Sequence, residues 1–173
     1  YQINADDIGF FEKSLSKKIT LYADYICPVS KNLAQKMKQF GLSGNYSIVP
    51  NVVDTNLFKP IKTKPEEFII LHVSNMLDSH KNVSGILNTI KNLKEHIPQF
   101  KFYLIGENSD NYLPFIKLLK IEKNVLIIDH IEHQKVASYM QMADVFVLFS
   151  NYENLPCVVL ESFACGTPVI ATN

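Results

Sequence analysis

Residues 144–171 read DVFVLFSNYENLPCVVLESFACGTPVIA, and the change of pattern inside this stretch decides the fold. The apolar run 144–149 is a buried-strand signature. The polar segment Ser150-Asn151-Tyr152-Glu153-Asn154-Leu155 follows, and Pro156 suits a first helical turn, where its missing N–H costs nothing. A helix is predicted over about 156–164, and after Gly166 the run 168–171 (PVIA) is a second strand.

Outward from this unit the same alternation recurs. Strands are predicted at 68–73 (FIILHV), 101–105 (KFYLI) and 124–128 (NVLII). Between them lie helical patterns at about 82–96, 112–119 and 134–142, the first with Val83, Ile86, Leu87, Ile90 and Leu93 at helical spacing. Further upstream, 25–29 (YICPV) and 46–49 read as short strands. Ser30 caps a helix running to Phe40 and closed by Gly41. Pro50, Asn51, Asp54, Pro60 and Pro65 make 50–65 linker-like. Short apolar strands separated by helices indicate βαβ units, hence an α/β fold with a parallel sheet covered on both faces. Such sheets bind ligands beyond the C-terminal ends of their strands. The loops after Val73, Ile105, Ile128 and Phe149 are therefore the places for chemistry.

Composition narrows the chemistry. At 173 residues, 47% hydrophobic and 20% charged, the chain is globular in character, and its zero formal charge supplies no field to recruit nucleic acid. All 17 positive side chains are lysines, so an anion site must use lysine, histidine or backbone N–H groups without a guanidinium fork. Cys27, Cys157 and Cys165 form no C-x-x-C pair, which argues against zinc or a disulfide framework and for a reducing compartment. No apolar run approaches the roughly 18 residues of a membrane span.

Each loop carries a sharp reading and a plain one. In 74–82 (SNMLDSHKN), Lys81 beside a helix start can neutralise a diphosphate, or it is a solvated lysine next to a cap made by Asn82 or Ser79. Gly106 turns the chain out of its strand or lets a ligand approach closely; no G-x-G-x-x-G accompanies it, which disfavours NAD or FAD. His130 and His133 are too few for a metal site, and surface or capping roles suit them; the backbone there could border a nucleobase. Glu153 and Glu161 are carboxylates suited to gripping sugar hydroxyls. Glu161 lies among Val158, Val159, Leu160, Phe163 and Ala164, where an unpaired carboxylate is costly. It needs a partner, in the protein or in a ligand.

Residues 153–172 (ENLPCVVLESFACGTPVIAT) resemble the E-x7-E signature of the GT4-type retaining glycosyltransferases. The likeness continues through 23–30 (ADYICPVS), 49–54 (VPNVVD) with Phe58 and Pro60, 74–82, and Met142-Ala143-Asp144-Val145 with Ser150, all in the family's order. The resemblance implies the two-lobed GT-B fold. Residues 1–52 would end the N-terminal acceptor domain, 53–66 would be the inter-domain hinge, and 67–173 an incomplete Rossmann-like, doubly wound, donor-binding domain. The start at Tyr1 and the stop at Asn173 read as those of a fragment, one expected to bind nucleotide weakly and to catalyse nothing alone.

Roles follow from the same resemblance. Lys81 and Glu153 would be catalytic, Lys81 on the diphosphate and Glu153 on the donor-sugar hydroxyls, with Glu161 on the ribose. Asn75, Gly106, His130, Ile131 and the amides of Asn154, Leu155, Pro156 and Cys157 would complete the donor site. Neither metal nor cofactor is expected. The partners would be a nucleotide-sugar donor and a carbohydrate or lipid-linked acceptor, with no nucleic acid. The full-length protein would be cytoplasmic, with peripheral attachment to the inner membrane face an option. The sequence departs from the family at Asn75, where arginine is usual, and near His130, where glycine is. The alternatives are a non-catalytic relative acting as scaffold or regulator, and related chemistries such as epimerisation or phosphorolysis.

Overall fold

The computed structural model describes residues 10–172; Asn173 and residues 1–9 of the segment assigned to the acceptor domain lie outside them. The described chain divides into two compact units. Residues 10–52 with 152–156 form the first, and 53–151 with 157–172 the second. The proline-rich segment 53–66 belongs to the second unit, with Phe58 buried in its core.

The first unit carries two helices, α1 (Phe10–Tyr22) and α2 (Lys31–Gln39). The Ser30 hydroxyl caps α2 as its sequence predicts, accepting from the Leu33 N–H at 3.1 Å. Helix α1 has no counterpart in the sequence reading. Apolar residues at 11, 15, 19 and 22 do stand at helical spacing, but Leu15, Ile19, Leu21 and Tyr22 stay exposed. The strands expected at 25–29 and 46–49 are reduced to a single parallel bridge between Ile26 and Tyr46. The cause is local. Ile26 N–H donates to Asn45 O, and Ser47 and Val49 donate to Ile26 O and Pro28 O, but Pro28 has no N–H to return the next rung.

The second unit is a five-stranded parallel sheet. Its strands are β1 (Ile69–Val73), β2 (Lys101–Ile105), β3 (Val125–Ile128), β4 (Val145–Leu148) and β5 (Val169–Ala171), in the order β3-β2-β1-β4-β5. Period-two alternation sends Ile70, Phe102, Leu104, Val125 and Val147 to one face. There they pack with Val83, Ile86, Leu87 and Ile90 of α4 (Val83–His96) and Ile116 of α5 (Leu113–Leu119). Ile69, Leu71, Ile105, Phe146 and Leu148 point to the other face. They meet Val136, Ala137 and Met140 of α6 (His133–Met142), Val158 and Val159 of α7 (Cys157–Ala164), and Phe58. Helices thus cover both faces, as the near-continuous apolar strands require.

Two local features escaped the sequence reading: a short turn of helix, α3 (Asp78–Lys81), before α4, and a 3-10 turn at Ser109–Tyr112 leading into α5. No helix among the described residues is long and apolar enough to cross a membrane.

Gly106 closes β2 against the loop that leaves β1. It sits at φ +155°, and a Cβ there would lie 1.9 Å from the Ser74 carbonyl oxygen. The close approach seen here is to the protein's own backbone. Gly106→Ala is expected to lower the unfolding free energy by roughly 3 kcal/mol, from strain and overpacking together. Urea denaturation measures this, and a loss below about 0.5 kcal/mol would mean that the loop yields freely.

Candidate nucleotide-sugar site

Strand order reverses at β1. The chain steps outward from β1 through β2 to β3, then returns to place β4 on β1's other side. In doubly wound sheets the crevice at this reversal is where ligands bind. The loops leaving β1 and β4 flank it, and both are built of residues singled out by sequence.

Hydrogen bonds tie these two loops together. Asn151, beyond β4, donates its backbone N–H to His80 O at 2.7 Å and its side-chain amide to Ser79 O at 3.0 Å. Those are carbonyls of α3, the turn that ends at Lys81. Beneath them lies His72, fully buried on β1. Its Nδ1 is 2.8 Å from Val147 O on β4, so Nδ1 carries the hydrogen, and its Nε2 is 2.8 Å from Ser74 Oγ.

The loop itself is held in a demanding shape. Met76 is buried at φ +56°, a left-handed conformation uncommon outside glycine. Its N–H reaches Ser74 Oγ at 3.1 Å, and its carbonyl accepts from the Tyr112 hydroxyl at 2.9 Å. Asp78 takes the Ser84 N–H and hydroxyl at 2.7 and 2.8 Å, and lies 3.3 Å from the Tyr112 hydroxyl. Burial first, then the Asp78 charge and hydrogen bond, push the Tyr112 phenol up to about 12. Asn82, also left-handed at φ +49°, caps α4 by accepting from Gly85 N–H at 3.2 Å.

Glu161 lies on α7, with its side chain 9% exposed. The partner it needs is His133, the first residue of α6, whose Nε2–H donates to Oε1 at 2.8 Å. The His133 side chain is 63% exposed, and its ring tilts against Phe58 at 4.9 Å between ring centres. Among the described residues no buried side-chain oxygen lacks a hydrogen-bond partner, and Oε1 takes the one bond recorded for this carboxylate. One turn on, burial and then the Glu161 charge raise the Cys165 thiol to about 11, against smaller lowering effects of the Lys59 backbone and the Lys64 charge.

Comparison with known proteins now decides the family. The profile described as "Glycosyl transferases group 1" matches residues 53–173. The chain belongs to the group 1 glycosyl transferases. It is 30% identical over 120 residues to N-acetyl-alpha-D-glucosaminyl L-malate synthase of Bacillus anthracis, an overlap of 68% of this chain and 30% of that protein. To the O-antigen biosynthesis glycosyltransferase WclY of Escherichia coli it is 28% identical over 167 residues, 90% of this chain and 45% of the relative. Sucrose-phosphate synthase of Thermosynechococcus elongatus shares the fold, with TM-score 0.81 and 22% identity across 99% of this chain and 46% of that one. The chain spans less than half the length of each of these relatives.

Within this group 1 glycosyl transferase, the residues named from sequence fall into three groups. Asn75 and Lys81 share the β1 loop, which Gly106 abuts through Ser74 and Met76. Asn75 is exposed, and its Oδ1 accepts from Leu77 N–H at 3.3 Å. Lys81 is half-buried at the end of α3. Glu161 is joined instead to the segment after β3, in which His130 is exposed and Ile131 half-buried against the core. Glu153, Asn154, Leu155 and Pro156 belong to the first unit, where Leu155 O accepts from the Asn51 amide at 2.6 Å; Cys157 is exposed at the start of α7.

Asn151, Tyr112, Asp78 and His133 went unnamed as site residues. For His133 a signal existed, because the buried carboxylate of Glu161 required a partner. For the others none did, since which loops meet depends on strand order.

Tyr112→Phe should cost about 1 kcal/mol. In spectrophotometric titration it should remove one phenol ionising near pH 12. A raised phenol stabilises the fold below its unfolded value of 10.0 and loses that contribution as pH climbs through about 12, so wild type and variant should converge in stability across that window. A missing transition near pH 10 would contradict the placement. Separately, iodoacetamide at pH 8 should label the exposed Cys27 and Cys157 and spare Cys165, which stays a protonated thiol; mass spectrometry of peptides reads this, and rapid labelling of Cys165 would contradict its burial.

Proposed function

We propose that the protein transfers a sugar from a nucleotide-sugar donor to a carbohydrate or lipid-linked acceptor, in polysaccharide or glycoconjugate biosynthesis. Transfer proceeds with retention of anomeric configuration and without a metal ion or cofactor. The observation that carries this reading is the pinning of Lys81's helical turn by Asn151 across the reversal of strand order. Membership of the group 1 glycosyl transferases supplies the reaction class.

In this reading the donor diphosphate lies beyond the C-terminal ends of β1 and β4. Lys81 and the backbone N–H groups of Asn154, Leu155 and Cys157 stabilise the negative charge that builds on the leaving nucleotide, work otherwise done by a metal. A turn already fixed by hydrogen bonds spends little of that stabilisation on reorganisation. Glu153 accepts from donor-sugar hydroxyls, Glu161 from the ribose, and backbone around Gly106, His130 and Ile131 borders the base. Asn75 stands where an arginine is usual, so the diphosphate is held with one cation fewer.

Calorimetry on the full-length protein should give saturable binding of one of UDP, GDP and ADP. Lys81→Ala and Glu161→Ala should each weaken it about tenfold, roughly one charge-assisted hydrogen bond apiece. No binding by any of the three would contradict the reading.

A second reading has one observation in its favour. Asn75, in place of an arginine, spends its side-chain oxygen on its own turn. A non-catalytic relative serving as scaffold or regulator would show this. Turnover of a UDP-, GDP- and ADP-sugar panel separates the two.

A further inference from the structure

We propose that His133 is a positioning residue for nucleotide recognition: by holding Oε1 of Glu161 it presents Oε2 as the acceptor for the ribose hydroxyls. The proposal rests on the donor-site reading above and adds a residue to it.

Three observations bear on His133. It donates from Nε2 to Oε1 at 2.8 Å, a hydrogen bond between side chains 28 residues apart in sequence. Its ring is oriented by a second contact, the tilted packing on Phe58, whose own exposure is only 1%. And the carboxylate it holds sits on α7 with its side chain only 9% exposed.

Two consequences follow. A carboxylate with two rotatable side-chain oxygens could turn either one outward or fold both against the protein. With Oε1 held by His133, the carboxylate keeps acceptor capacity on Oε2 in a fixed side-chain position, so a hydroxyl pair meets a ready acceptor rather than one to be ordered on binding. The hydrogen bond also offsets the cost of placing a mostly buried carboxylate on a largely apolar helix. Cys165 feels the Glu161 charge, and the Lys59 backbone and the Lys64 charge act on Cys165 in the opposite sense.

The test compares the nucleoside diphosphate that binds among UDP, GDP and ADP with its 2′,3′-dideoxy counterpart, by calorimetry on the full-length protein. Wild type should prefer the ribose form by about tenfold, the scale of a charge-assisted hydrogen bond. In His133→Ala that preference should fall to about twofold or less, through weaker binding of the ribose form with dideoxy binding unchanged. His133→Gln, which keeps a donor at the same reach, should restore most of the preference. Thermal melting of each variant checks folding, and the glutamine variant serves if alanine is unstable. If His133→Ala keeps the full preference, or His133→Gln restores none of it, the positioning role is wrong while the donor-site reading stands. If wild type binds no diphosphate, or binds both forms alike, the donor-site reading itself fails, and this proposal with it.

Discussion

His72 on β1 and Val147 on β4 lie 75 residues apart in sequence, yet their strands run side by side at the centre of the sheet. That adjacency arises from a single crossover, the return from β3 past β2 and β1 by way of α6. It turns two remote loops into neighbours and leaves their polar backbone at one edge. A backbone group taken out of water must find a partner. Here the partners come from across the reversal: Asn151 takes the carbonyls of α3, and His72 takes that of Val147. The loop after β1 can then carry a left-handed Met76 without collapsing, because Ser74, Tyr112 and the missing side chain of Gly106 fix it from three directions.

Glu161 obeys a different constraint, the expense of a carboxylate on an apolar helix. The sequence poses that problem and leaves two answers open. The structure supplies a protein partner, His133, for one oxygen. This is compatible with a ligand role, since a carboxylate has acceptor sites to spare after one hydrogen bond. The Cys165 thiol beside it stays protonated and small, so the negative charge in this part of the core rests on Glu161.

What could be read in advance followed from period and punctuation. The five strands of the sheet and the helices α4, α6 and α7 were marked by apolar runs, by Asn82 and Pro156, and by Gly166. Two further strands, at 25–29 and 46–49, were over-read because a single proline removes the rung that would extend their bridge. Helix α1 has no counterpart in the sequence reading although residues 11, 15, 19 and 22 carry helical apolar spacing. The site was legible as a set of loops but not as an assembly. Lys81 and Glu161 stood out by residue type and neighbours. Asn151, Tyr112, Asp78 and His133 did not, for their partners lie tens of residues away and only strand order brings them close.

The central claim is that a nucleoside diphosphate is held at the edge where β1 and β4 end. Hydrogen–deuterium exchange of the full-length protein, with and without the diphosphate that binds, tests it most directly. Slower exchange concentrated in residues 74–82 and at the start of α7 is the expected result. Protection confined to α5 or to the β5 edge, with those segments unchanged, would contradict it.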